Sequence, residues 1–217
     1  MDFDAIIFRT RNGLIRVWNC GAVRSTPGFE KEGVMSIDLP GHSAPTAGFE
    51  APLEMLSACH HRIERQCATL RRLVPHLAAR GADVEARTAA AGVLRYFDTA
   101  AQQHHSDEEE NLFPALIEST AGSDAVCLRA LIDGLTADHR KLDAHWQRVR
   151  SALERIVTGD GASLPASDVL ALVGMHEQHI KREERDLLPM AARLLSDDAL
   201  QQIGRAMRER RGIGPVV

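Results

Sequence analysis

A chain of 217 residues with 44% apolar content is long enough for one domain with a sizeable core plus an appendage. Its formal charge of -4 gives no electrostatic footprint for nucleic acid or an anionic membrane surface. It also lacks the apolar run of about 18 residues that a membrane span needs. Only 4% of the residues are aromatic, and Ala, Leu, Arg and Glu dominate, which favours helix over sheet. The cysteines Cys20, Cys59, Cys67 and Cys127 form no Cys-x-x-Cys pair and read as reduced thiols. With no basic start and apolar core of a signal peptide, the expected compartment is the cytoplasm.

Residues 1–34 carry no helical period, and within them 4–8 and 13–18 read either as short strands or as irregular chain. Met35 opens a Pro/Gly-rich lead-in, so a start at Met35 stands as an alternative, with the first 34 residues as an upstream extension. Helical spacing then sets in. Leu53, Leu56, Ile63, Leu70, Leu73, Val74 and Leu77 predict a helix over 51–77, with Pro52 in its first turn and Gly81 closing it. A second helix is predicted over 83–118, with Val93, Leu94, Phe97, Ala101, Leu112 and Leu116 inward and a bend at Pro114. Ser123 is placed as the N-cap of a third helix running to 157, ended by Gly159-Asp160-Gly161. A fourth spans 166–195, with Pro189 near its end. Ser196 caps a shorter fifth helix over 197–211, whose arginine-rich end suits the negative pole of its own dipole. The division expected is an irregular extension or linker over 1–47, a helical bundle over 48–195, and a C-terminal helix and tail over 196–217.

Two stretches inside these helices repeat. His104-His105-Ser106-Asp107-Glu108-Glu109-Glu110-Asn111-Leu112-Phe113-Pro114 and His179-Ile180-Lys181-Arg182-Glu183-Glu184-Arg185-Asp186-Leu187-Leu188-Pro189 both read His-x-x-x-Glu-Glu-x-x-Leu-x-Pro. Residues four apart stack on one helix face, about 6 Å apart at Cβ, so each His–Glu pair can offer a nitrogen and an oxygen to one metal. One copy would read as a salt bridge on a wet surface; two aligned copies point to a duplicated unit. Upstream of each copy stands Leu-[Ser/Thr]-Ala-x-His, as Leu56 to His60 and as Leu135 to His139. Each half is therefore a helical hairpin with a lone histidine first and His-x-x-x-Glu second. The competing register pairs His105 with Glu109, but only His104 with Glu108 aligns with His179 and Glu183 when the prolines are superposed.

These four elements, in this order, resemble the hemerythrin-like (HHE cation-binding) domains, over roughly residues 48 to 195. The resemblance implies an all-α, up-down-up-down four-helix bundle, with the short fifth helix and the irregular N-terminal extension outside it. It implies a site of His60, His104, Glu108, His139, His179 and Glu183 holding two non-haem iron ions (Fe2+/Fe3+). Four terminal imidazoles, two bridging glutamates and a bridging oxo or hydroxo group would complete that centre. The donor set of imidazole and carboxylate suits Fe, Mn or Zn, with no thiolate placed for copper(I). Ferritin-like proteins use the reversed Glu-x-x-His order, which separates them from this pattern.

The departures from the family's oxygen carriers carry meaning. The position four after His139 holds Asp143 where those proteins have a further histidine, and His179 and Glu183 are four apart rather than five. Glu64 and Asp143 are open between touching metal, orienting an imidazole and facing solvent, and His176 could share the inner face of His179. His61 and His105, offset by about 100° from their neighbours, are not expected as ligands. Glu109 and Glu184 are expected beside the site or in solvent. His42, His76 and His145 are expected to be ordinary, and Trp146 to anchor the core. The reading favours a module that meets a small diatomic ligand or peroxide in sensing or in iron and redox stress, rather than an oxygen store. The alternatives are a redox enzyme (peroxide or NO reduction, or iron donation for iron–sulfur cluster repair) and a scaffold with incidental histidines. No nucleic acid or membrane is expected among the partners; a protein partner stays open.

Overall fold

The structure, a computed structural model, describes residues 6–9 and 15–18 as backbone, and residues 48–120 and 123–214. The first stretch is a self-contained unit: β1 (Ile6–Arg9) pairs antiparallel with β2 (Ile15–Trp18), Ile6 facing Trp18 and Arg9 facing Ile15. Within the two stretches read either as short strands or as irregular chain, the described residues are strands. Cys20, Met35 and His42 lie outside the described residues, as does any account of where the chain should start.

The second unit, Pro45–Val217, is helical. Its first arm is α1 (Pro52–Arg80), with Pro52 in the first turn and Gly81 beyond the end at φ 70°, its N–H donating to Leu77 O. The second arm is broken where one continuous helix was predicted: α2 (Val84–Phe97), α3 (Ala100–Asp107), a π-helical turn (Glu108–Leu112) and α4 (Phe113–Glu118). Asp83 caps α2 by accepting from Ala86 N at 2.8 Å. The interruption falls at Asp98, whose carboxylate accepts from Trp146 Nε1 and Arg150 Nε, both at 3.0 Å. The third arm, α5 (Ser123–Thr158), starts at Ser123. The fourth is α6 (Ala166–Arg182), a second π-helical turn (Glu183–Leu187) and α7 (Leu188–Leu194). Then α8 (Asp197–Arg210) begins at Ser196, whose hydroxyl accepts from Ala199 N at 3.2 Å.

The bend expected at Pro114 takes the form of the first π-turn, and Pro189, expected only near the end of its helix, follows the second. Pro114 and Pro189 each sit second in the helix that follows the turn. A proline lacks the N–H that an α-helical carbonyl needs and crowds the preceding turn. The chain meets that constraint with a wider, five-residue bond just upstream: Phe113 N–H donates to Glu108 O, and Leu188 N–H to Glu183 O. The result is the same irregularity at the same place in both halves.

α1 packs on α2 and α6, and α5 packs on the same two helices. Two apolar clusters form the core. One joins Ile63, Leu70 and Leu77 to Ala86, Val93, Leu153, Ile156, Val169 and Leu172. The other joins Leu56, Leu112, Leu116, Leu128, Leu135, Leu187 and Ala191 to Ile203 and Met207 of α8. On three arms the change from one cluster to the other falls at a buried histidine: His60 lies between Leu56 and Ile63, His104 between Ala101 and Leu112, and His139 between Leu135 and Leu142. On the fourth it falls just past His179, between Ile180 and Leu187, where Glu183 is buried. Trp146 is a core residue, as expected, lying against Phe97 at 4.8 Å between ring centroids.

Leu70 is fully buried whereas Leu170 is 60% exposed, although both are helical leucines. Leu70→Ala should lower unfolding free energy by about 2–5 kcal/mol. Leu170→Ala should change it by less than about 0.5 kcal/mol, both read by chemical denaturation.

Candidate metal centre

Each arm delivers its polar side chains to the seam between the two apolar clusters: His60 from α1, His104 from α3, Glu108 from the first π-turn, His139 from α5, His179 from α6 and Glu183 from the second π-turn. All six are buried, with exposures of 0–2%. His60, His104, Glu108 and Glu183 bring one ligand atom each to within 4.8 Å of one another, and so do Glu108, His139, His179 and Glu183. The two quartets share both glutamates. Each quartet also pairs one lone histidine with one His-x-x-x-Glu histidine of the repeat.

The atoms surround shared points rather than bonding to each other. His60 Nε2 is 3.1 Å from Glu183 Oε2, His104 Nε2 is 3.6 Å from Glu108 Oε1, and His139 Nε2 is 3.4 Å from Glu108 Oε2. Those separations are within ion-pair range. Even so, both oxygens of Glu108, both of Glu183, His60 Nε2 and both nitrogens of His104 are buried without hydrogen-bond geometry to any partner. A buried polar atom left unsatisfied costs about 1–3 kcal/mol, so this concentration needs a compensating occupant. Two nitrogens bound at right angles to one metal at about 2.1 Å stand about 3.0 Å apart. His139 Nε2 and His179 Nε2 are 3.0 Å apart. The residues fit a cation at each quartet.

The electrostatics point the same way. Burial, together with the negative charge of Glu183 beside it, pushes the Glu108 carboxyl well above the usual carboxylate range. Burial acts on Glu183 too, but His179 and His60 outweigh it and hold that carboxyl well below the range. Burial and neighbouring imidazoles drive His104 well below the usual histidine value. His60 goes the other way: burial would lower it, but Glu183 and Glu184 raise it to about 10. Two carboxylates sharing a dry site cannot both ionise without cations between them.

Two residues expected beside the site or in solvent hold histidines of the quartets. Glu184 Oε1 accepts from His60 Nδ1 at 2.6 Å, and Glu109 Oε1 accepts from His139 Nδ1 at 2.8 Å. Arg140 in turn grips Glu109 through two bonds of 3.1 and 2.8 Å. Each such bond keeps a proton on Nδ1, so Nε2 is the nitrogen that faces the centre and can be given up to a metal. The repeat contained the signal, because both copies carry Glu-Glu: the first glutamate enters the quartets, and the second holds the lone histidine of a neighbouring arm.

Other candidates resolve individually. Glu64 and Asp143 are exposed and belong to neither quartet. His176 is buried against Phe97, 5.4 Å between ring centroids, outside both quartets. His61 is exposed and bonds Ser57 O, His76 bonds Asp83, and His145 lies beside Arg148. His105, set aside by its 100° offset, stacks on His139 with centroids 4.0 Å apart.

The arginines of α8 do more than face their own dipole. Arg210 and Arg211 both bond Asp107, a fully buried carboxylate next to Glu108 in sequence. Arg210 also holds Glu110 at 2.8 Å and Asn111 at 2.9 Å. Sequence spacing gave no sign of this clamp, since the partners are about a hundred residues apart.

The family comparison agrees with the geometry. The hemerythrin HHE cation binding domain matches residues 51–191, and the chain belongs to that family. It is also similar to an uncharacterised protein of Haemophilus influenzae, at 29% identity over 167 residues, covering 77% of this chain and 94% of that protein.

Replacing Arg210 and Arg211 together by alanine leaves the Asp107 charge buried and unpaired. The double variant should lose about 3–5 kcal/mol of stability, measured by denaturation of the metal-free protein.

Proposed function

We propose that this chain is an up-down-up-down hemerythrin-type bundle whose two quartets hold two non-haem iron ions. His60 and His104 would bind one, His139 and His179 the other, with Glu108 and Glu183 bridging both and an oxo or hydroxo group completing the bridge. The observation that carries this reading is the sharing of both glutamates by two buried quartets of unsatisfied donors. When bound, such a pair of irons supplies redox chemistry toward O2, NO or peroxide. The role we assign is sensing, or iron and redox stress handling, in the cytoplasm. Among the described residues no helix is long and apolar enough to cross a membrane.

The protein's own contribution is to keep the donors dry and oriented. The apolar clusters on either side exclude water, which strengthens every charge interaction inside. Glu109 and Glu184 set the tautomers of His139 and His60. The π-turns set where the bridging carboxylates leave the helix axis, in keeping with the frequency of π-turns at functional sites.

Protein purified anaerobically and then exposed to air should carry about two irons per chain and develop an oxo-to-iron charge-transfer band. Zinc alone, or no stoichiometric metal after loading with ferrous iron, would remove the reading.

Glu108→Ala and Glu183→Ala should each lose bound iron to a similar degree. Glu109→Ala, which frees His139 without removing a ligand, should weaken iron binding by about 10–100-fold and fill again at excess iron. An emptied site in Glu109→Ala beside a filled one in Glu108→Ala would shift the register by one residue.

A further inference from the structure

The duplication extends beyond the ligands to a pair of surface clefts, and the two are not alike. The first, about 240 Å3, lies along α3, the first π-turn and α5, with Gln102, His105 and Asp143 among its walls. The second, about 190 Å3, lies between α1 and α6, with Glu177, Ile180 and Glu64 in its walls. Superposing His104 on His179 places Gln102 on Glu177 and His105 on Ile180; superposing His139 on His60 places Asp143 on Glu64. The clefts are therefore counterparts in the two halves.

Their floors differ in one decisive residue. In the first cleft His139, a member of a metal quartet, forms part of the wall. Above it stacks His105, whose Nε2 is buried and has no hydrogen-bond partner. A ring nitrogen of His105 lies within 4.8 Å of ring nitrogens on both His139 and His179. In the second cleft the same place is taken by Ile180, buried and without a polar atom, and the wall beside it is Cys67 and His176. No quartet member lines that cleft.

We propose that the cleft over His105 is the route by which the exogenous ligand reaches the centre. The ligand meets the metal held by His139 and His179 there, and His105 Nε2 supplies its hydrogen-bond partner. The two metal positions, equal in their protein donors, are thereby unequal in access. The ligand class follows from the walls: the three carboxylates Glu109, Glu110 and Asp143 outnumber the guanidinium groups that meet them, Arg140 at Glu109 and Arg210 at Glu110, so the mouth disfavours anions. A small uncharged molecule with a polar atom fits, of the size of nitric oxide or hydrogen peroxide.

This inference rests on the di-iron reading, and the test keeps the two apart. Iron content and the absorption spectrum of each variant come first; the rate of nitric oxide association with the ferrous protein, by stopped-flow absorbance, comes second. Gln102→Trp, which fills the mouth from the exposed face of α3, should keep its iron and slow association by about tenfold or more. Glu177→Trp, the matching change at the other cleft, should leave the rate within about twofold. His105→Ile, which copies the second half, should keep its iron and bind nitric oxide about tenfold more weakly, with His105→Gln recovering part of the loss. Azide should associate faster as salt is raised, because screening weakens the acidic mouth.

Equal slowing in the two tryptophan variants, or slowing in Glu177→Trp alone, overturns the assignment of the route. Unchanged affinity in His105→Ile overturns the role of that residue. Should Gln102→Trp lose iron, Asp143→Trp blocks the same mouth from α5 and is read in the same way. Absence of stoichiometric iron in the unaltered protein is a separate result, which removes the di-iron reading and this proposal with it.

Discussion

Glu108 and Glu183 meet at the centre of the bundle with no exposure to water and no hydrogen bond to either of their four oxygens. Moving one carboxylate out of water costs several kcal/mol, and a second beside it adds repulsion in a medium that screens poorly. Four imidazoles surround the pair, yet two of the four, His60 and His104, are displaced in opposite directions from their ordinary range. Proton sharing of this kind is a poor substitute for positive charge placed between the oxygens. Cations at the two quartets would relieve the repulsion, satisfy the orphaned atoms and join all four arms at one level. The rest of the bundle, from the apolar clusters to the arginine clamp, keeps that level dry and in register.

The π-turns explain how a helix can serve such a site. In a regular α-helix a glutamate four residues after a histidine lies on the same face, and the next glutamate is turned away by about 100°. Here the helix widens at Glu108 and at Glu183, the glutamates that the two quartets share. The following glutamates, Glu109 and Glu184, remain close enough to bond the lone histidines of other arms. One pair of adjacent residues thus supplies both a candidate metal ligand and a support for another, and the proline downstream fixes where the widening falls.

Duplication gives the centre its approximate twofold character, and a few substitutions break it. Asp107 and Arg182 occupy matching positions, three residues after His104 and His179. Arg182 pairs with Asp138, beside His139, within the four arms. Asp107 instead requires the added helix α8, whose Arg210 and Arg211 neutralise it. α8 also packs on Phe49, whose backbone comes so close to Gly204 that a Cβ there would stand 2.0 Å from Phe49 O. His105 against Ile180 is a second such break, and it lies nearer the chemistry.

The sequence by itself determined the helical class, the number of arms, their approximate limits and the six side chains that meet at the centre. It could do so because helix periodicity and four-residue spacing are local rules, and because the duplication supplied two readings of the same pattern. Tertiary structure alone decided what depends on neighbours distant in the chain. Asp98, at the break in the second arm, is bonded by Trp146 and Arg150 of another arm, while the π-turns ahead of Pro114 and Pro189 reflect how the backbone redistributes its hydrogen bonds. Glu109 and Glu184 become supports only when His139 and His60 are brought beside them, and His105 joins the site only because α5 brings His139 against its ring. Asp107 can be buried because α8 returns from about a hundred residues away with two guanidinium groups. No local spacing rule encodes an encounter at that separation, so these details had to wait for the packed chain.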